Sequence, residues 1–280
     1  MSDTILYTSL LVKFVKLKKI ELNDFQATWF IIDIFVAIVI AEYIFTYLNA
    51  GEGILLCLGL TILIYVIISG IDMKQGFIHS AESLALIPLY VLFTSSLPWF
   101  FINQQFLMPA VYSIILALCF WHMHEKNILP ENAGLKGDNL LKYAAIGALI
   151  GLCTGPIEYW VLKPAASFPT FELKYLFRDL IYMTFFVGLG EELLFRGLIQ
   201  NDLISAFGTK IGIFGQAFLF GIMHMTWRSP LELLFTFLAG LLFGILYRKT
   251  GTLTGPIVFH GINNVMLVAV LPYYFSGLIN

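Results

Sequence analysis

The sequence predicts an all-α fold, a polytopic integral membrane helical bundle of about eight or nine transmembrane helices. Three observations predict it. Of the 280 residues, 59% are hydrophobic and only 12% are charged, about half the charge of an ordinary soluble domain. Apolar runs close to the ~20 residues needed to cross a bilayer recur along the whole chain. The polar stretches between them are too short to build a separate soluble domain. The lipid bilayer is therefore the expected surrounding. A net charge of -2 gives no electrostatic case for nucleic acid.

The N-terminal stretch is basic (Lys13, Lys16, Lys18, Lys19) and reads as an interfacial amphipathic helix. No small-residue cleavage site follows in register, so a removable signal peptide is not expected. Nine apolar runs come next. The first spans 27–48 and the second 54–71. The third, 82–102, contains Pro88 and Pro98 and should kink. Only Asn103, Gln104 and Gln105 separate it from the fourth, 106–122. The fifth, 140–162, carries Gly147, Gly151 and Gly155 on one face, where another helix can approach closely. The sixth is long, 174–204, and holds ionisable residues at its centre. The seventh is 209–226, and the eighth, 231–247, repeats the small-residue spacing at Gly240 and Gly244. The ninth is 253–275. These glycine faces serve internal packing and leave the oligomeric state undefined. Cys57, Cys119 and Cys153 lie inside apolar runs without CxxC spacing and read as small buried hydrophobes.

With nine spans, most lysines and arginines fall on one side, including Lys74, Lys126, Lys136, Lys142, Lys210, Arg248 and Lys249. Lys163, Lys174, Arg178 and Arg228 fall on the other. The positive-inside rule then places the N-terminus inside and the C-terminus outside. Compact length and short loops point to a prokaryotic plasma membrane.

The sixth run contains Glu191-Glu192-Leu193-Leu194-Phe195-Arg196-Gly197. Charges in hydrocarbon cost about 2.5–3.5 kcal/mol each on insertion scales. Glu192 and Arg196 are one turn apart and can pair. Glu191 is rotated by about 100°. One carboxylate can thus be neutralised while the other points elsewhere, available as a general base. The bland alternative is an ion pair that only fixes packing. Two later stretches are candidate partners. Phe220 and His224 share a face of the seventh run. His260 and Asn264 share a face of the ninth, with Asn263 nearly as close. Two side-chain donors converging there would suit a developing oxyanion; polar glue between helices is the alternative. Of the five histidines, His79, His122 and His124 fall in or beside predicted loops, leaving these two in the late spans. Together the three stretches supply a base, its partner and two stabilisers for attack of water on an amide. GxSxG and HExxH are both absent.

In this order and helix context, EExxxR, FxxxH and HxxxN resemble the CPBP family, the CAAX proteases and bacteriocin-processing enzymes also called the abortive-infection family. Phe237 to Gly244 and Thr250 to Ile257 look similar as well. The resemblance implies a type II CAAX prenyl endopeptidase-like intramembrane glutamate protease without a cofactor. Glu191 would activate water and His224 would assist. His260 and Asn264 would form the oxyanion hole. Glu192 and Arg196 would be the supporting ion pair. The substrate would be a membrane-anchored peptide or protein. Residues 1–135 would be the interfacial helix and four variable spans, and 136–280 the catalytic core.

Two alternatives stand beside it. Zinc held by Glu191, His224 and His260 would give a metal-dependent membrane protease. A non-catalytic protein, tied to bacteriocin immunity or transport, would keep the polar cluster for folding. Asp33, Glu42, Glu82, Glu158 and Asp179 also fall in apolar runs. Asp179, beside Arg178, reads as an outer-interface residue rather than a site residue.

Overall fold

The computed structural model describes residues 19–97 and 101–275. Pro98 and the basic stretch of Lys13, Lys16 and Lys18 lie outside the described residues. Among the described residues, nine helices follow in chain order, apart from a two-residue parallel pairing of β1 (Ile20–Glu21) with β2 (Ile71–Asp72). They are α1 (Asp24–Leu48), α2 (Ala50–Gly70), α3 (Gln75–Ser95), α4 (Leu107–Glu125) and α5 (Leu140–Leu162). Next comes α6, which runs from Leu173–Ile181 to Asn201–Phe207. The last three are α7 (Thr209–Ile222), α8 (Pro230–Thr250) and α9 (Thr254–Phe275).

Local chemistry sets the ends. Asn23 and Gln26 form a reciprocal capping box at the start of α1, at 2.9 and 3.1 Å. Asn49 accepts from the Glu52 N–H to open α2. Ser229 caps α8 with Pro230 in its first turn, and Gly251 at φ +69° ends it. Helix α3 is interrupted at Ala85, where the ring of Pro88 crowds the carbonyl four residues back.

Among the described residues, seven helices (α1–α5, α8 and α9) are long and apolar enough to cross a membrane. Their outward faces expose Leu55, Val66, Leu149 and Leu234, a hydrocarbon surface suited to lipid. The chain is an integral multi-pass membrane protein. Helix α6 departs from uniform α geometry, with wide i→i+5 turns over Tyr182–Gly188 and Leu193–Gln200.

The glycine faces pack as expected. A Cβ on Gly151 would lie 2.6 Å from the Phe259 carbonyl oxygen, so α5 rests on the backbone of α9. A Cβ on Gly240 would lie 3.0 Å from Ala217 Cα, which brings α8 onto α7. These close approaches carry α9 and α7 to the two sides of α6.

Several boundaries differ from the sequence reading. Helix α3 begins at Gln75 rather than 82, because its first turns bury polar residues (Ser80, Ser83, Glu82) inside the protein, where hydropathy undervalues them. His79 therefore sits in α3. His122 and His124 occupy the last turn of α4, with His122 buried. Helix α7 stops at Ile222, so His224 stands in the turn beyond it. Cys57 and Cys119 are buried, but Cys153 is exposed on the outward face of α5.

Candidate active site

Glu191 and Glu192 lie in the single ordinary helical turn, Leu189–Glu192, between the two wide stretches of α6. Wide turns of this kind recur at functional sites because they re-aim side chains. The result separates the two carboxylates. Glu192 and Arg196 are both 0% exposed and bonded at 2.9 Å from Nη1 to Oε1. The guanidinium also lies 4.3 Å from the Phe220 ring and 4.7 Å from the Phe243 ring, and donates to the Gly240 carbonyl at 3.4 Å. Aromatic faces on both sides of a desolvated guanidinium replace part of its lost hydration. Phe220 is therefore the platform that joins the motif helix to α7, and its ring also meets His224 at 4.8 Å.

Glu192 holds a second partner that sequence spacing did not suggest. The same Oε1 lies 2.9 Å from Nδ1 of His260. The imidazole stacks on Phe243 at 5.3 Å and 20°. A carboxylate on Nδ1 fixes the ring and leaves Nε2 to the site, as in carboxylate–histidine pairs generally. That Nε2 is 3.8 Å from Oε2 of Glu191. His260 thus bridges the two glutamates, where the sequence reading set it opposite Glu191 alone.

Glu191 has one occupied and one open oxygen. Tyr112, on α4, donates to Oε1 at 2.9 Å. Oε2 is buried without a hydrogen-bond partner. His224 is half-buried, and its Nδ1 meets the Phe220 carbonyl at 2.8 Å, so Nε2 is its open position. Glu191, His224, Tyr90, Tyr112 and Trp227 line one cavity of about 160 Å³. Asn264 stands one turn beyond His260 and is half-buried, without a side-chain hydrogen bond among the described residues. Asn263 is turned away toward α5. It donates to Glu158, and Thr154 donates to its Oδ1 at 2.6 Å.

The structure therefore brings Glu191, Glu192, Arg196, His224 and His260 together, with Asn264 on the adjoining turn. Sequence reasoning missed Tyr112, Phe243 and Tyr90. All three lie in apolar runs, where an aromatic residue reads as lipid-facing or core. Asp179 is buried against Arg178, whose Nε donates at 3.0 Å. It lines a separate cavity of about 1180 Å³ that contains none of the motif residues. Among the described residues, no group of three or more His, Cys, Asp or Glu side chains is arranged to hold a metal ion. For the zinc alternative, Nδ1 of each histidine is hydrogen-bonded, which leaves Nε2 as the nitrogen a metal would take.

Residues 174–266 match the model of one family, described as type II CAAX prenyl endopeptidase Rce1-like. This stretch runs from the start of α6 into α9 and contains all three motifs. This part of the chain is thus similar to the Rce1-like CAAX proteases. No curated protein and no solved structure gives a match.

Replacing Tyr112 with Phe should lower kcat about tenfold with KM unchanged, because the Glu191 carboxylate loses the Tyr112 donor that fixes its Oε1. Steady-state kinetics in lipid nanodiscs checks this, and an unchanged kcat would remove Tyr112 from the site.

Proposed function

We propose that this protein is a glutamate-type intramembrane endopeptidase that hydrolyses a peptide bond of a membrane-anchored substrate. The single observation that carries the reading is Glu191, whose Oε2 is buried without a hydrogen-bond partner and whose side chain lines a cavity shared with His224. In this mechanism a water between Glu191 and His224 gives one proton to Oε2. Its oxygen bonds to the carbonyl carbon, and the C=O electron pair moves to the oxygen. His260, held at Nδ1 by Glu192, presents an Nε2–H to that oxyanion, and the Asn264 amide supplies a second donor. Collapse restores the C=O and breaks the C–N bond. The leaving nitrogen takes a proton from His224, which is reloaded by the proton on Glu191. One water is consumed and no proton is gained or lost overall.

The family match supports a prenylated tail as substrate, and compact length with short loops fits a prokaryotic plasma membrane. In this reading Glu191 activates the water and the reaction needs no metal. The purified protein in nanodiscs, given a farnesylated peptide ending in Cys-aliphatic-aliphatic-X, should release the residues after cysteine at a rate unchanged by excess chelator. Loss of activity in chelator with recovery on adding zinc would favour the metal mechanism. Absence of cleavage of this peptide and of any membrane peptide would favour a non-catalytic role.

A further inference from the structure

The turn that carries His224 is tied to the first helix of the bundle. Helix α7 stops at Ile222, and residues 223–229 lead from it into α8. Thr226 and Trp227 are exposed in this turn, and with Met223 and His224 they line the Glu191 cavity. Backbone bonds within the turn run from the N–H of His224 to Gly221, of Trp227 to His224 and of Arg228 to Met225, at 3.0, 3.1 and 2.9 Å. They give the turn its shape. Its place beside Glu191 depends on what holds its two ends. At the first end, Met223 packs with Phe45 and Tyr90 against Ala41, Cys57 and Val91.

Arg228 holds the far end. Its backbone is left-handed, at φ +54°. Glycine adopts that conformation freely, whereas a residue with a Cβ is penalised. An arginine there calls for a contact that offsets the backbone cost, and Arg228 makes one. Its Nη2 donates to the Thr46 carbonyl at 2.6 Å. The guanidinium also lies 5.8 Å from the Tyr47 ring, which packs on Tyr43 at 5.2 Å. Thr46 lies in the wide stretch Ile44–Leu48 that ends α1. The last four carbonyls of a helix lack a donor from their own backbone. Thr46 is buried, so water is a poor substitute there. A charged donor on a shielded carbonyl makes a strong hydrogen bond.

We propose that Arg228 is a positioning residue. By clasping the Thr46 carbonyl it fixes the turn 223–229 on α1 and so holds His224 at the cavity it shares with Glu191. Helix α1, which carries none of the three motifs, thereby supports the site. The clasp stands apart from the endopeptidase reading, and its effect on turnover rests on that reading.

Hydrogen–deuterium exchange of the full-length protein in nanodiscs reads the clasp without turnover. In Arg228→Met, which keeps the length but has no donor, the amides of residues 223–229 should exchange severalfold faster than in the wild type. Arg228→Gly should loosen the turn likewise, yet keep the wild-type thermal midpoint, because glycine suits the left-handed backbone. With the farnesylated peptide, both variants should lose about tenfold in kcat while KM moves less than about twofold, since a small misplacement of a reacting group slows the chemistry. Arg228→Lys, still a charged donor, should recover part of the loss. The effect should vanish without His224, so that His224→Gln/Arg228→Gly turns over as fast as His224→Gln alone. Wild-type exchange in both Arg228→Met and Arg228→Gly would overturn the clasp. A loosened turn with wild-type kcat, a loss confined to KM, or a loss that multiplies with that of His224→Gln would overturn the positioning role. If the wild-type protein cleaves nothing, the endopeptidase reading fails, while the exchange rates still decide the clasp.

Discussion

Glu191→Gln should lower kcat by about 10³-fold or more while the protein inserts, folds and binds substrate as before. Positioned general bases contribute about 10²–10⁴, and here no second carboxylate can substitute. Glu192 is committed at Oε1 to both Arg196 and His260. Glutamine keeps the shape and can still accept from Tyr112, so the loss would be chemical rather than structural. The stability of Glu191→Gln should equal or exceed that of the wild type, because one buried carboxylate is removed from an apolar interior. Parallel measurement of kcat, KM and thermal stability in nanodiscs checks this. Activity within tenfold of the wild type would assign the base elsewhere. A comparison of membrane peptides from cells carrying wild-type or Glu191→Gln protein would also report the natural substrate.

The helical membrane bundle was legible in the sequence because lipid-facing helices need little more than length and apolarity. The fifth run, 140–162, matches α5 at both ends, since glycine spacing and polar flanks agree there. Helix α3 was misplaced where polar side chains serve protein contacts, which hydropathy does not distinguish from solvent. The Glu192–Arg196 pair followed from one-turn spacing within a helix, a purely local rule. The link from Glu192 to His260 did not, because it depends on how the wide turns of α6 rotate one carboxylate toward α9. Tyr112 was invisible for the same reason. A contact between residues 79 positions apart has no local pattern, and tyrosine is common at membrane interfaces on other grounds. The contact between Asn263 and Glu158 was half legible. Glu158 stood out as a carboxylate in an apolar run, but only the packing of α5 against α9 along Gly147 and Gly151 brings it to Asn263.

Arg196→Gln should destabilise the protein by about 3–5 kcal/mol, the usual cost of removing one partner of a buried ion pair. Glu192 would remain at 0% exposure with a full charge and only His260 as donor. The space between Phe220 and Phe243 would lose its cation as well. Activity should fall with stability, because Glu192 would draw His260 toward itself and change the aim of Nε2 at Glu191. Arg196→Lys should rescue only part of the loss. An ammonium restores the charge but not the flat, stacked group that also reaches the Gly240 carbonyl. The double variant Glu192→Gln/Arg196→Gln removes both charges, so it should be more stable than Arg196→Gln alone, by a coupling of about 0.5–3 kcal/mol. It should nevertheless remain poorly active, since His260 would lose the carboxylate that orients it. Denaturant or thermal unfolding of the four proteins in nanodiscs, with kcat measured on each, separates these contributions. If Arg196→Gln unfolds at the wild-type midpoint, the pair has no structural role, and the conformation of the motif helix must be set by the wide turns and the glycine contacts alone.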